Sequence, residues 1–248
     1  MIKRFILMVS ILLSGCANHT TKDEQADTFA NLGNVYAQSG RLSEAEEYFQ
    51  KAHVSNPNKN DVLLKLASVQ VQSGKYGEAK QAYSKILSSD SNNHDARYRM
   101  ASVQIMLGDV DGALDQYQTL LAADNKDFYA FNGLGVILDN ISKYKLAQAC
   151  YLTGLKYAPQ NHAIKNNLGI SYALSGDIGQ ARYYLPLSIQ LTSSERPKEN
   201  LKLINQYYAD IKNPANRQKM LADQFLIKSI VVNSSLVNNA VAVAKKWC

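Results

Sequence analysis

The apolar positions of this chain recur with a spacing of 34 residues. Divided from Ala26 onward, the sequence gives five blocks without any insertion: 26–59, 60–93, 94–127, 128–161 and 162–195. The seventh position of each block is always apolar, and the eighth is always glycine or alanine. The twentieth position is always alanine, and the twenty-fourth is a large apolar or aromatic residue. A constant period of this length predicts a tandem array of one small structural unit.

The spacing inside a block predicts two helices. Positions 4, 7, 8 and 11 fall on one face of a first helix, and positions 20, 24 and 27 on one face of a second. Small residues at positions 8 and 20 let the two backbones approach, while bulky residues at 7 and 24 fill the space beside them. Position 15 is glycine in four blocks and Ser142 in the other, which predicts the end of the first helix. Asp27, Asp61 and Asp95 at position 2 are predicted to cap the first helix.

The first block carries a recognisable pattern: Phe29-x₂-Leu32-Gly33-x₂-Tyr36, then Ala45-x₃-Phe49, followed by Ala52 and Pro57. This pattern resembles the tetratricopeptide repeat (TPR), a helical hairpin of 34 residues. The resemblance implies an all-α fold, a right-handed α-solenoid of TPR hairpins over residues 26–195. Each hairpin would bury its apolar face against its neighbours.

Residues 196–248 follow the period only weakly, and we expect a degenerate helical cap and tail there. Residues 198–211 are predicted to form a sixth first helix that closes the array. Asn213 and Pro214 are predicted to begin another helix. The sequence after Ser229 has no clear period and predicts no particular structure.

The N-terminus has the proportions of a signal peptide, predicted here for residues 1–15. Lys3 and Arg4 precede an apolar run, residues 5–13, that is too short to span a membrane stably. The following Leu13-Ser14-Gly15-Cys16 resembles the bacterial lipobox, which implies cleavage before Cys16 and lipidation of its thiol. The alternative is an ordinary secreted protein whose signal happens to contain a cysteine.

Ala17 follows the cysteine, which by resemblance to enterobacterial lipoproteins implies the inner leaflet of the outer membrane, with the body in the periplasm. Residues 16–25 are polar and aperiodic, and we expect a tether there. Removing Lys3 and Arg4 with the signal peptide lowers the formal net charge from +6 to +4, without a basic block, so nucleic acid is not an expected partner. A periplasmic location permits a disulfide, but the spacing of Cys150 and Cys248 does not indicate one. We expect a buried Cys150 and a free thiol at Cys248.

The sequence offers no catalytic or cofactor-binding pattern. None of the four histidines has a partner at metal-ligand or catalytic-triad spacing. Gly133 and Gly135 begin like a dinucleotide-binding motif, but Leu138 replaces its third glycine. We therefore expect a non-enzymatic protein without cofactor, metal or small-molecule substrate, whose partners are proteins.

The first helices of a TPR solenoid line a concave groove suited to an extended or helical peptide. Resemblance to peptide-binding members implies groove positions 2, 5, 6, 9 and 12. From these positions we single out as candidates Asn31, Asn34, Lys65, Ser68, Arg99, Ser102, Asn132 and Asn166. Asparagine amides can bind a peptide backbone, and Lys65 with Arg99 could bind a carboxylate. The latter pair is similar to the carboxylate clamp of chaperone-binding members, although position 5 does not match it in the first three blocks. The alternative is that these side chains simply face water.

The stretch from Leu168 to Asp177, followed by Arg196 and Asn200-Leu201, resembles the end of TadD-like lipoproteins of the tight-adherence (Flp) pilus system. That resemblance implies a periplasmic scaffold, pilotin-like for the secretin, that binds protein partners of the pilus machinery. Two alternatives keep the architecture and change the partner. One is a type IV pilus secretin pilotin of the PilF/PilW kind, and the other is an NlpI-like adaptor for envelope proteases or peptidoglycan enzymes.

Overall fold

The computed structural model describes residues 21–212 and 234–248. Every regular element in these two ranges is an α-helix, which confirms the predicted all-α class. The helices are α1 Lys22–Gln38, α2 Leu42–Ser55, α3 Asn60–Gln72, α4 Tyr76–Ser89, α5 His94–Met106, α6 Val110–Ala123, α7 Phe128–Asn140, α8 Tyr144–Tyr157, α9 His162–Leu174, α10 Ile178–Ile189, α11 Arg196–Lys212 and α12 Ser234–Trp247. Within the two ranges, no helix combines the length and apolar character that crossing a membrane requires.

Each first helix ends two residues before position 15, where the backbone enters the left-handed region. Gly40, Gly74, Gly108 and Gly176 have φ angles between 75° and 89°. Glycine suits this conformation because it has no Cβ to clash with the neighbouring carbonyl. Ser142 adopts the same region with φ of 58°, so the hairpin imposes this turn even where the sequence lacks glycine.

The prediction that position 2 caps the first helices is wrong. The N-caps of α5, α7 and α9 are Asn93, Asp127 and Asn161, the residues that immediately precede a block. Their side-chain oxygens accept hydrogen bonds from backbone N–H groups of the first turn. The chain thus enters each helix earlier than predicted. Asp61 and Asp95 lie inside the first turn, where a negative charge still interacts favourably with the helix dipole.

The predicted tether is also shorter than expected, because α1 begins at Lys22. Thr21 and Glu24 form a capping box: Glu24 N donates to Thr21 Oγ1 at 3.2 Å, and Thr21 N donates to Glu24 Oε2 at 2.8 Å. This reciprocal pair satisfies two backbone N–H groups and fixes the helix start. The signal peptide, Cys16, and Asn213 with Pro214 lie outside the described residues.

The described residues fall into two compact units, with the boundary after Ile86. In the first unit, Phe49 lies across Gly33, where a Cβ atom would come within 2.8 Å of the ring. Glu46 is buried in this unit and is neutralised by Lys75, whose Nζ lies 2.8 Å from Glu46 Oε2. A buried carboxylate is therefore paired with a cation here, as charge burial generally requires.

The second unit begins at Leu87 and contains an extended core cluster of buried residues. A Cβ atom on Gly135 would lie 2.4 Å from the ring of Tyr151, and one on Gly169 would lie 2.7 Å from Leu185. These contacts join position 8 to position 24 of the same hairpin. The predicted pairing of a small residue with a bulky one is confirmed at both sites.

The C-terminal helix α12 belongs to the second unit and packs against α6, α7 and α8. Its residues Ala240, Val243 and Ala244 are buried in the core cluster. Cys248, just after α12, forms a disulfide with Cys150 of α8, with 4.7 Å between their Cα atoms. The expectation of two unpaired cysteines is therefore wrong. The return of the chain end to α8 joins residues 98 apart in sequence, and no local pattern signals such a contact.

Candidate peptide-binding face

A row of asparagine side chains crosses the first helices of the second unit. Asn167 Nδ2 donates to Asn132 Oδ1 at 3.0 Å, which joins α9 to α7. Asn200 Nδ2 donates to Asn166 Oδ1 at 2.9 Å, which joins α11 to α9. Asn166 Nδ2 lies 3.3 Å from Asn167 Oδ1 and connects the two pairs. We call these four residues the amide row.

The repeat itself builds the amide row. Asn132, Asn166 and Asn200 stand 34 residues apart, all at position 5, so stacking brings them side by side on successive helices. All members of the row are half-buried. Within the described residues, Asn132 Nδ2 and Asn200 Oδ1 make no further hydrogen bond. The row thus ends in one spare donor and one spare acceptor, the two groups that a peptide backbone complements.

Aromatic side chains continue the row toward α5. Tyr98 occupies position 5 of the third block, and its ring lies 4.6 Å from that of Tyr129. Tyr129 also contacts His94 and Phe128, and it remains 39% exposed. Burial raises the pKa of the Tyr98 hydroxyl above its ordinary value, so the hydroxyl stays protonated at neutral pH. These rings provide a rigid, partly exposed surface beside the amides.

One carboxylate lies on the same side of α7. Asp139 Oδ1 accepts a hydrogen bond from Ser171 Oγ at 2.6 Å, and Oδ2 accepts one from Tyr151 at 3.0 Å. Burial raises the pKa of Asp139 to about 6, although both hydrogen bonds act in the opposite direction. Asp139 stands at position 12 of its block, one of the expected groove positions.

The predicted clamp residues already have partners of opposite charge. Lys65 Nζ lies 3.8 Å from Asp61 Oδ2, and Arg99 Nε lies 2.9 Å from Asp95 Oδ1. Both are pairs between residues four apart on one helix. Lys65 belongs to the first unit and Arg99 to the second, so neither unit contains both clamp residues.

The other predicted residues are distributed as follows. Asn31 is exposed on α1, and Asn34 and Ser68 are half-buried on α1 and α3. Ser102 Oγ donates to the backbone oxygen of Tyr98 at 3.1 Å, so it contributes to α5 itself. Of the eight predicted groove residues, Asn132 and Asn166 are the two that join the amide row.

Sequence reasoning missed Asn167, Asn200, Tyr129 and Asp139 as parts of this face. Asn200 could have been found by extending position 5 into the sixth first helix, where the 34-residue step still holds. Asn167 could have been found at position 6, also an expected groove position, but its bond to Asn132, which links positions 6 and 5 of different blocks, could not. No group of three or more His, Cys, Asp or Glu residues in the described parts of the chain is placed to hold a metal ion.

Comparison with known proteins supports the repeat assignment. Sequence models of the tetratricopeptide repeat match residues 26–59 and 70–134, so the chain carries TPR repeats. No curated protein matches the sequence in such a comparison.

Similar solved structures include other TPR proteins. TTC0263, a thermophilic TPR protein in Thermus thermophilus, superposes with a TM-score of 0.65 at 14% identity, over 73% of this chain and 99% of the other. MamA from Desulfovibrio magneticus RS-1, residues 41 to the end, gives 0.53 at 20% identity, over 68% and 95%. The APC/C heterotetramer Cut9–Hcn1 gives 0.64 at 20% identity, over 98% of this chain and 45% of the other. At these identities the likeness concerns the fold.

Proposed function

We propose that this protein is a non-catalytic interaction scaffold whose second unit binds an extended segment of a partner protein along the amide row. The TPR fold supports the general role, since TPR arrays act typically as protein-interaction scaffolds. The observation that carries the specific role is the amide row, with its unused donor at Asn132 and unused acceptor at Asn200.

The amide row favours recognition of main-chain groups. A backbone C=O of the partner would accept from Asn132 Nδ2, and a backbone N–H would donate to Asn200 Oδ1. Each such bond contributes about 0.5–1.5 kcal/mol net. The neighbouring Tyr98 and Tyr129 rings would add contact with an apolar side chain of the segment.

A double substitution tests the role of the row. Asn132→Ala with Asn166→Ala should weaken binding of the partner isolated from the native cell envelope by roughly 10- to 100-fold, because the Asn132 contact is lost and Asn200 loses the side chain that positions it. The matched control is Asn58→Ala, an exposed asparagine of the first unit. Isothermal titration with the purified partner gives the affinities, and circular dichroism checks the helix content. Equal affinities for both variants and the wild type would contradict the proposal.

We further propose that lipid on Cys16 anchors the scaffold to the outer membrane, facing the periplasm. The lipobox supports the anchor, and the Cys150–Cys248 disulfide fits an oxidising compartment. Cys16→Ser should move the protein from the membrane fraction to the soluble periplasmic fraction. Retention of the variant in membranes after a high-salt wash would refute lipid anchoring.

The partner that we propose is the secretin or another component of the tight-adherence (Flp) pilus machinery. Support comes from the resemblance of residues 168–177 and 196–201 to TadD-like lipoproteins. Deletion of the gene should remove surface fibres in electron micrographs and reduce secretin multimers on gels of unheated samples. Loss of multimers together with type IV pili would favour the PilF/PilW-like alternative. Normal fibres with altered envelope proteolysis or cell shape would favour the NlpI-like adaptor.

A further inference from the structure

Asp139 lies on the same side of α7 as the amide row. It follows Asn132 by seven residues, almost two helical turns, so the two side chains leave the helix in nearly the same direction. Along the helix axis they are about 10 Å apart. A segment bound along the amide row would therefore pass about 10 Å from Asp139, a distance that about three residues of extended chain can span.

The Asp139 carboxylate is stabilised by neutral groups alone. Its two hydrogen bonds come from the hydroxyls of Ser171 and Tyr151. Among the described side chains, no lysine, arginine or histidine forms an ion pair with it. The buried Glu46 of the first unit differs in this respect, because Lys75 neutralises it. Asp139 is therefore a half-buried carboxylate without a counter-ion.

The surface around this position in the repeat is aliphatic. Positions 9, 12 and 13 of α5, α7 and α9 include Ile105, Met106, Val136, Ile170, Ala173 and Leu174. Met106 and Leu174 are more than half exposed, and the others in this group are half-buried. At these positions of α5, α7 and α9 the face thus combines an apolar surface with the carboxylate of Asp139.

We propose that Asp139 binds the ammonium or guanidinium group of a lysine or arginine in the partner segment, and that aliphatic residues flank this cation. The inference rests on the proposed function and narrows it to a basic, aliphatic class of partner. It also reverses the charge implied by the carboxylate-clamp resemblance. Lys65 and Arg99 are paired with carboxylates of their own helices, whereas Asp139 lacks a cation.

The aliphatic surface and partial burial around Asp139 explain why a lysine or arginine would bind there. A lysine or arginine stem can lie along the aliphatic surface while its charged group reaches the carboxylate. Desolvation raises the pKa of Asp139 to about 6, which still lies below neutral pH. The carboxylate is therefore ionised at neutral pH although it is incompletely solvated. A cation that replaces the missing solvation gains more there than at a fully exposed carboxylate.

Selection from a random peptide library tests the inference and does not require the partner to be identified. Phage displaying random dodecapeptides would be selected on the immobilised full chain, and the bound peptides sequenced. We expect lysine or arginine at one fixed position of the selected peptides, with leucine, isoleucine or valine beside it. Acidic residues should be depleted at that position.

Affinities of one selected peptide then locate the contact. Fluorescence polarisation should show a loss of about tenfold or more with Asp139→Asn, and a similar loss when norleucine replaces the cationic residue of the peptide. The two changes together should cost little more than either alone, because they remove the same interaction. The matched control is Asp115→Asn. It removes the same charge from an exposed site on α6, which is the second helix of its hairpin, and should leave the affinity unchanged. The norleucine peptide leaves the protein unaltered, so its result is independent of any effect of Asp139→Asn on folding.

The possible failures are distinguishable. Selected peptides without enriched cations, unchanged affinity with Asp139→Asn, or a library that yields no binder would each overturn the inference. If the peptides lose affinity with Asn132→Ala and Asn166→Ala but not with Asp139→Asn, the cation contact is wrong and the proposed function stands. If the amide-row variant also binds normally, the proposed function fails as well.

Discussion

Removal of the Cys150–Cys248 disulfide by Cys248→Ser should destabilise the second unit substantially. The bond closes a loop over a sequence separation of 98 residues. In the chain-entropy description, a loop of about 100 residues contributes roughly 4.7 kcal/mol by restricting the unfolded chain. Removal of a native disulfide typically costs about 2–5 kcal/mol, and we expect a loss in that range.

Cys248 is the better of the two positions for this test. Cys150 is fully buried, so replacing it would also disturb the core, whereas Cys248 is half-buried at the chain end. For a unit of this size, each kcal/mol shifts the melting temperature by about 2–4 °C, which predicts a decrease of about 10 °C. Thermal unfolding followed by circular dichroism at 222 nm would measure it.

Reductant supplies the internal control. Dithiothreitol should lower the melting temperature of the wild type to that of Cys248→Ser and should not affect the variant. Thiol titration of the denatured, unreduced and unlipidated chain should detect one free thiol of the three cysteines, that of Cys16. Detection of all three thiols, or a melting temperature that neither reductant nor Cys248→Ser changes, would refute the reasoning.

Three further tests of stability would use chemical denaturation. Gly135→Ala should lower the free energy of unfolding by about 1–3 kcal/mol, because the added Cβ would lie 2.4 Å from the ring of Tyr151. In the control Gly179→Ala, the added Cβ meets only Asp177 at 3.5 Å, so this change should be neutral or stabilising. Equal effects of the two substitutions would contradict the packing. Ser142→Gly should stabilise the chain by about 1 kcal/mol, since it relieves the left-handed backbone, and no gain would argue against strain there. Burial raises the pKa of Asp139 from 3.8 to about 6, so the folded state binds the proton more tightly than the unfolded state does. The contribution of Asp139 to the free energy of unfolding therefore falls by up to about 3 kcal/mol as the pH rises from 4 to 7. Asp139→Asn should remove this decrease in the free energy of unfolding. Parallel pH profiles of stability for the wild type and the variant would contradict the prediction.

The hairpin packing was predictable because it repeats. A small residue at position 8 and a bulky one at position 24 carry little information once, but the combination recurs in all five blocks. The contact between Gly135 and Tyr151 is one instance of that rule. Because the same residue types recur in five blocks, an exception at one position of one block does not obscure the pattern.

Features that occur once were missed for a common physical reason. The start of α1 depends on the capping box of Thr21 and Glu24, which lies before the first block. Helix α12 has no repeat against which its register could be checked, and its burial depends on the chain's return to α8. Contacts between residues so distant in sequence leave no periodic signal.

The candidate site was predicted in part for the same reason. Position 5 identified Asn132 and Asn166, because the repeat fixes which face of the first helix they occupy. Their hydrogen bonds to Asn200 and Asn167 depend on the offset between adjacent helices, which a single sequence does not contain. Residue type and position therefore predicted the face, while the pattern of spare donors and acceptors required the structure.

The contrast between the paired cations and the unpaired Asp139 follows from the repeat itself. A charge at position 6 has position 2 as its neighbour one turn earlier, and that position is free to carry an aspartate, as it does for Lys65 and Arg99. A charge at position 12 has position 8 as the corresponding neighbour, and packing requires a small residue there, Gly135 in the case of Asp139. The neighbour one turn later lies beyond the end of α7 at Asn140. The other neighbour one turn before Asp139 is Val136, so α7 itself supplies no counter-ion, and under the proposed binding the cation comes from the partner segment.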